Sequence, residues 1–148
     1  MNIGFIGLGK LGGPVVEAIR EAGHSVVGYD INGSGTDSIE DCVKDSEIVF
    51  VAVPTPHDAD YDGAKVCSHL EPKDFDYTIA RDVLIEADKY MIKDQLLVLI
   101  STVLPGTTRE HFEPNVNNAT FIYNPYLIAM GTVKRDFLNP EMIMMGSK

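Results

Sequence analysis

The sequence predicts an α/β fold: a doubly wound, mainly parallel sheet of about six strands with helices on both faces, filling residues 1–148 as one domain. Three observations predict it. Six short apolar, β-branched-rich runs recur along the chain, nearly continuous rather than alternating, as in strands covered on both faces. Helical patterns fall between them, the order that gives parallel strands joined by crossovers. A glycine-rich turn joins the first run to the first helical pattern.

The predicted strands are "IGFIG" (3–7), "SVVGYD" (25–30), "EIVFVAV" (47–53), "QLLVLIS" (95–101), "TFIYN" (120–124) and a weaker "EMIMMG" (141–146). In the first helical pattern Val15, Val16, Ala18, Ile19 and Ala22 share one side, and Gly23 is placed to cap its end. Residues 36–45 read as a short helix, with Asp37 and Glu40 spaced as a capping box. Residues 76–93 are the longest helical pattern, with Ile79, Val83, Ala87 and Tyr90 on one face. Residues 107–115 read as a shorter helix stopped by Pro114. Residues 54–75 form a long, polar loop, a length that is usually functional or mobile.

Gly7, Gly9 and Gly12 spell G-x-G-x-x-G after a strand and at the head of a helix, within a βαβ unit. Gly7 permits the tight turn, Gly9 lets a pyrophosphate approach the backbone, and Gly12 allows helix and strand to pack closely. The helix N-terminus then presents free N–H groups and a positive dipole end to phosphate. Asp30 ends the second strand, eighteen positions after Gly12. An acid there accepts from both hydroxyls of an adenosine ribose and repels a 2′-phosphate, so NAD is expected over NADP. S-adenosylmethionine and flavin are the other ligands such a turn admits.

The formal charge of −10 argues against a nucleic-acid or anionic-membrane footprint, and no apolar run is long enough to cross a bilayer. No secretory signal is read at the N-terminus, and the two cysteines, Cys42 and Cys67, suggest a reducing compartment; a cytoplasmic location is expected.

Four stretches, "GFIGLGKLGGP" (4–14), "VFVAVPTP" (49–56), "ISTVLPGTT" (100–108) and "YNPYLIAMGTVKRDFLNPEMIMMG" (123–146), resemble the NAD-binding domain of the UDP-glucose/GDP-mannose dehydrogenase family. The opening stretch fits the β-hydroxyacid dehydrogenases as well; "AVPTP" and the 123–146 segment favour the sugar-nucleotide group. The resemblance implies a Rossmann-like domain that binds NAD for hydride transfer from a sugar-nucleotide alcohol. It implies cofactor contacts from Gly7, Gly9, Lys10, Leu11, Gly12, Asp30, Val53, Pro54, Thr55 and Thr102. Thr55 and Thr102 follow strands at their carboxyl ends, where open α/β sheets bind ligands. The implied partners are a dinucleotide, a nucleotide sugar or a separate catalytic domain, and a second copy of the chain.

The departures are chemical. The family's C-terminal domain, with its nucleophilic cysteine, is absent from this sequence, and neither Cys42 nor Cys67 matches that role. Tyr126 and Met130 stand where the family's N-P-E-F-x-x-E-G segment carries glutamates. The stretch between Asp30 and Glu47 is much shorter than in the family. No catalytic residue is therefore assigned. His57, Asp58, Asp60 and Asp62 read as a solvated acidic loop rather than a metal site, Met142–Met145 as core or buried interface, and Lys134 and Arg135 as a solvated turn.

Overall fold

The computed structural model describes every residue except Lys65, Cys67 and Lys148. Five parallel strands, β1 (Asn2–Ile6), β2 (Ser25–Tyr29), β3 (Ile48–Val51), β4 (Leu96–Leu99) and β5 (Thr120–Tyr123), lie in the order β2-β1-β3-β4-β5. The helices are α1 (Gly12–Glu21), α2 (Ile39–Val43), α3 (Thr78–Asp88) and α4 (Val133–Leu138). The chain leaves β1 toward one edge and returns across it to β3. The direction of winding thus reverses between β1 and β3, where such sheets form a crevice at their carboxyl ends.

The continuous apolar runs are explained by two cores. Ile3 and Phe5 of β1 join Val15, Val16 and Ile19 of α1, Val98 and Ile100, and Val133 of α4. On the other face Ile6, Val49, Val51, Leu97 and Leu99 pack under Val43 of α2, Leu84 and Ala87 of α3, and Phe112. Helix α1 ends as expected: Gly23 takes a φ of 88°, and the N–H groups of Gly23 and His24 donate to the carbonyls of Arg20 and Ile19. Ala22, assigned to the buried side, is an exposed cap residue.

Four sequence-based expectations are corrected. The cap of α2 is Ser38, not Asp37. Ser38 has the extended backbone of a cap, and its Oγ accepts from the Asp41 N–H at 3.1 Å. Residues 107–115 form a wide π turn (Thr108–Phe112) followed by a 3₁₀ turn (Glu113–Asn115), because Pro114 cannot donate to a continuing helix and Phe112 must reach the core. The 141–146 run adds no sixth parallel strand; it touches the sheet through one antiparallel bridge, Gly146 to Tyr123. Met142, Ile143, Met144 and Met145 are exposed rather than core.

Two polar features fix the borders. Asp88, buried at the end of α3, accepts the N–H groups of Asn117, Asn118 and Ala119 at 2.8–3.1 Å and so pins the approach to β5. At the opposite border, residues 30–36 fold back on β2. Thr36 donates to the Gly28 carbonyl, Tyr29 bridges Gly35, and the Arg20 guanidinium donates to the Val26 carbonyl. Among the described residues no helix is long and apolar enough to cross a membrane.

Candidate functional site

The carboxyl ends of the central strands open into a cleft of about 950 Å³, and all ten residues selected from the sequence line it. The three motif glycines differ in what requires them. Gly7 has a φ of 96°, and a Cβ there would lie 2.2 Å from the Ala52 carbonyl oxygen. A Cβ on Gly12 would lie 1.8 Å from the Gly7 carbonyl oxygen and 2.9 Å from the Phe5 ring. Both glycines are demanded by the protein's own packing. A Cβ on Gly9 would meet nothing within 4 Å; it would project into open space. The fold does not need Gly9 to be glycine, whereas a ligand resting on the backbone does.

The adjoining helix end suits an anion. No side chain caps α1, no acidic residue sits in its first turn, and the N–H groups of Lys10, Leu11 and Gly12 find no acceptor among the described residues. These unsatisfied donors face the same cleft as the Gly9 backbone. Asp30 is held beside them. One carboxylate oxygen accepts the Leu8 N–H at 2.7 Å and the other the Asn32 N–H at 3.0 Å. Each oxygen keeps lone-pair capacity for a hydroxyl donor, so the carboxylate is oriented without being used up.

The opposite wall is tied by hydroxyls. Ser101, buried at the end of β4, accepts the Val53 N–H at 3.1 Å and donates to the Val53 carbonyl at 2.7 Å. Thr55 donates to the Thr102 carbonyl at 2.6 Å, while Thr102 itself is exposed. Thr55 therefore joins two loops rather than offering its proton to a ligand. Among the described residues of the long 54–75 loop, Pro54 and Thr55 are the ones that line the cleft. Replacing Ser101 with alanine is expected to cost about 1–2 kcal/mol, leaving both Val53 groups unpaired, and to weaken dinucleotide binding; chemical denaturation and calorimetric titration measure the two effects.

The far end is closed by Ile100, Tyr126, Ile128 and Met130. The Tyr126 ring lies 5.3 Å from that of Phe137, and burial raises its hydroxyl pKa far above the ordinary tyrosine range. It is no base at neutral pH. Cys42 lies off the cleft, buried with its thiol toward the Phe5 and Val27 carbonyls, and burial pushes it up to about 11. Cys67 lies outside the described residues. Among the described residues no group of three or more His, Cys, Asp or Glu side chains is placed to hold a metal ion. Asp58 pairs with Lys73, and Lys134 is no solvated turn: it lies on α4 and pairs with Glu17 and Glu21 of α1.

The sequence did not reveal the remaining wall. Ile31, Ile39 and four residues of α3 (Ile79, Asp82, Val83 and Glu86) line the cleft beside Asp30. Of the face predicted from Ile79, Val83, Ala87 and Tyr90, only Ala87 is buried; the buried face of α3 is Ala80, Leu84, Ala87 and Asp88. Ile79 is 45% exposed and Ile31 93% exposed, and an apolar residue directly after Asp30 was the available signal.

Comparison with known proteins agrees with this geometry. The chain is 24% identical to the UDP-glucose 6-dehydrogenase of Haloferax volcanii, over 100% of its own length and 41% of the relative's. It is 24% identical to the UDP-N-acetyl-D-mannosamine dehydrogenase of Methanococcus maripaludis, over 98% of its own length and 38% of the relative's. The solved ternary complex of GDP-mannose dehydrogenase from Pseudomonas aeruginosa superposes with a TM-score of 0.83 at 21% identity, covering 100% of this chain and 41% of that one. The chain thus spans about two fifths of the length of these relatives. The sequence model of the UDP-glucose/GDP-mannose dehydrogenase family, NAD binding domain, matches residues 32–148. That match begins after the glycine loop and Asp30, so loop geometry and family membership are independent observations. Together they place this chain in the UDP-glucose/GDP-mannose dehydrogenase family, as an NAD-binding domain.

Proposed function

We propose that this domain holds NAD across the cleft, with the diphosphate over Gly9 and the N-terminus of α1, the adenosine ribose on Asp30, and the nicotinamide toward Thr55 and Thr102. When bound, NAD supplies a hydride acceptor. We infer that the hydride donor is the alcohol of a nucleotide sugar, that a further catalytic domain supplies the nucleophile and base, and that the assembly works in the cytoplasm as a homodimer. The chain's own residues seat and orient the cofactor. Lys10, Leu11 and Gly12 donate N–H groups to the phosphates, Asp30 accepts ribose hydroxyls, and Val53, Pro54 and Thr55 hold the opposite wall through Ser101 and Thr102.

One observation carries this reading: the glycine at 9 serves nothing inside the protein. A second reading, a domain that binds the dinucleotide without turnover, draws on the far end of the cleft, where Tyr126 and Met130 bring no carboxylate. Calorimetric titration with NAD and NADP, on the wild type and Asp30→Ala, tests the assignment. NAD is expected to bind in the micromolar-to-millimolar range and NADP more weakly, because a 2′-phosphate meets the Asp30 charge. The variant should bind NAD about tenfold more weakly, having lost charged hydrogen bonds. Equal affinities that the substitution leaves unchanged would overturn the ribose assignment. A rise at the reduced-nicotinamide band when a nucleotide sugar is added to the NAD-loaded domain alone would overturn both the need for a further catalytic domain and the second reading.

A further inference from the structure

We propose that the Lys10 side chain closes over the cofactor's diphosphate as an ionic clasp, and so makes the site selective for ligands that carry one. This rests on the NAD reading above and adds to it a residue whose ammonium, not only its backbone N–H, recognises the ligand. Lys10 follows Gly9 directly and stands two positions before Gly12, where α1 begins. It is the one lysine or arginine among the described residues that line the cleft, whose other charged residues are Asp30, Asp82 and Glu86. Those carboxylates are engaged elsewhere: Asp30 with the N–H groups of Leu8 and Asn32, Asp82 with Arg81, and Glu86 with Lys89 and the Tyr90 hydroxyl.

The chain has 22 acidic residues against 12 lysines and arginines, so a surface cation has carboxylates to pair with. Lys44, Lys73, Arg81, Lys89, Lys134 and Arg135 all do. The Lys10 ammonium has no hydrogen bond or ion pair among the described residues, although it lies at the mouth of a cleft that holds three carboxylates. An ammonium is a compact charge on a flexible four-carbon stem, suited to phosphate oxygens because it demands no fixed geometry. The turn supplies the rest. Gly9 leaves open space for the ligand, and the N-terminus of α1 adds its positive dipole end. A diphosphate resting there meets backbone N–H groups and an unpaired ammonium on the same turn. S-adenosylmethionine, which the glycine turn by itself would admit, carries a sulfonium cation and no phosphate, so the ammonium repels it.

Calorimetric titration with NAD and ADP-ribose, and amide NMR titration with adenosine, test the clasp on wild type, Lys10→Gln and Lys10→Arg. Lys10→Gln should weaken NAD and ADP-ribose alike by about fivefold and leave adenosine, which has no phosphate, unchanged. The gap between wild type and Lys10→Gln should narrow at high ionic strength, where an exposed charge is screened. Lys10→Arg keeps the charge and should stay within about twofold of wild type. Lys93 and Arg109 are exposed and lie outside the cleft. Lys93→Gln and Arg109→Gln change the net charge by the same amount as Lys10→Gln and should leave NAD affinity unchanged, which separates a local contact from the field of the whole protein. Lys10 is exposed, and a thermal melt of each variant confirms that the fold is retained. Undiminished NAD affinity in Lys10→Gln, an equal loss for adenosine, a loss for NAD without one for ADP-ribose, or an equal loss in Lys93→Gln would each overturn the clasp while leaving wild-type NAD binding intact. Failure of the wild type to bind NAD and ADP-ribose would instead overturn the NAD reading on which it rests.

Discussion

Gly9→Val is expected to abolish measurable NAD binding while leaving the thermal midpoint within about 2 °C of wild type. The two halves have separate causes. A Cβ at position 9 meets no protein atom within 4 Å, so the folded chain accepts the branched side chain as it accepts an ordinary surface substitution. The same methyl groups fill the space over the α1 N-terminus that a diphosphate must enter, and no rotation about a single side-chain bond clears it. The neighbouring glycines supply the contrast. Gly7→Ala combines a positive φ with a Cβ 2.2 Å from a backbone oxygen, and Gly12→Ala drives a Cβ to 1.8 Å from another. Each should cost about 3 kcal/mol or more and lower the midpoint by on the order of 10 °C. Calorimetric titration and thermal melting on the three variants check this. A Gly9→Val protein that binds NAD as well as wild type would remove the cofactor from this turn; one that melts like Gly7→Ala would make position 9 a packing position.

Asp88→Ala should produce the opposite pattern, a large loss of stability with cofactor affinity preserved. The buried carboxylate accepts three consecutive backbone N–H groups, from Asn117, Asn118 and Ala119. Deleting it strands those donors where the protein excludes much of the water, at about 1 kcal/mol each, for a total near 3 kcal/mol. Asp88→Asn should cost nearly as much, because its amide turns a second donor against donors already there. Asp88 stands at the end of α3 away from the cleft and does not line it, so NAD titrated below the melting transition should bind with wild-type affinity. Equilibrium denaturation gives the stability change; a loss under 1 kcal/mol would mean that water replaces the carboxylate and that the 117–119 segment is not anchored by it.

Much of this was legible in the sequence, for physical reasons. Strands covered on both faces have unbroken apolar runs, so β1, β3 and β4 announce themselves. A glycine turn between strand and helix marks a candidate dinucleotide site, and all ten residues chosen from it and from the family segments line one cleft. What escaped were places where one pattern serves two purposes. Ile79 and Val83 carry helical spacing, which ordinarily means core; here they line the cleft, while Ala87 of the same stripe is buried together with Ala80 and Leu84. The Met142–Met145 run has strand composition, but it contributes one bridge at Gly146 and exposes its side chains. Ser38 displaced Asp37 as cap because backbone conformation, not spacing, decides which residue starts a helix. Ser101 carries no sequence signal for its task, which is mechanical, bracing Val53 from both sides.

The fold-back of residues 30–36 has a consequence for how copies of this domain meet. On the β2 margin the outward carbonyls of Val26 and Gly28 are already claimed by Arg20 and Thr36. On the β5 margin the outward pairing among the described residues is the bridge from Tyr123 to Gly146. Of the two rims, the β2 one therefore has fewer free carbonyls to offer a neighbouring strand. Were two copies to pair along the β5 rim, the contact would close on a twofold axis rather than propagate as a fibre.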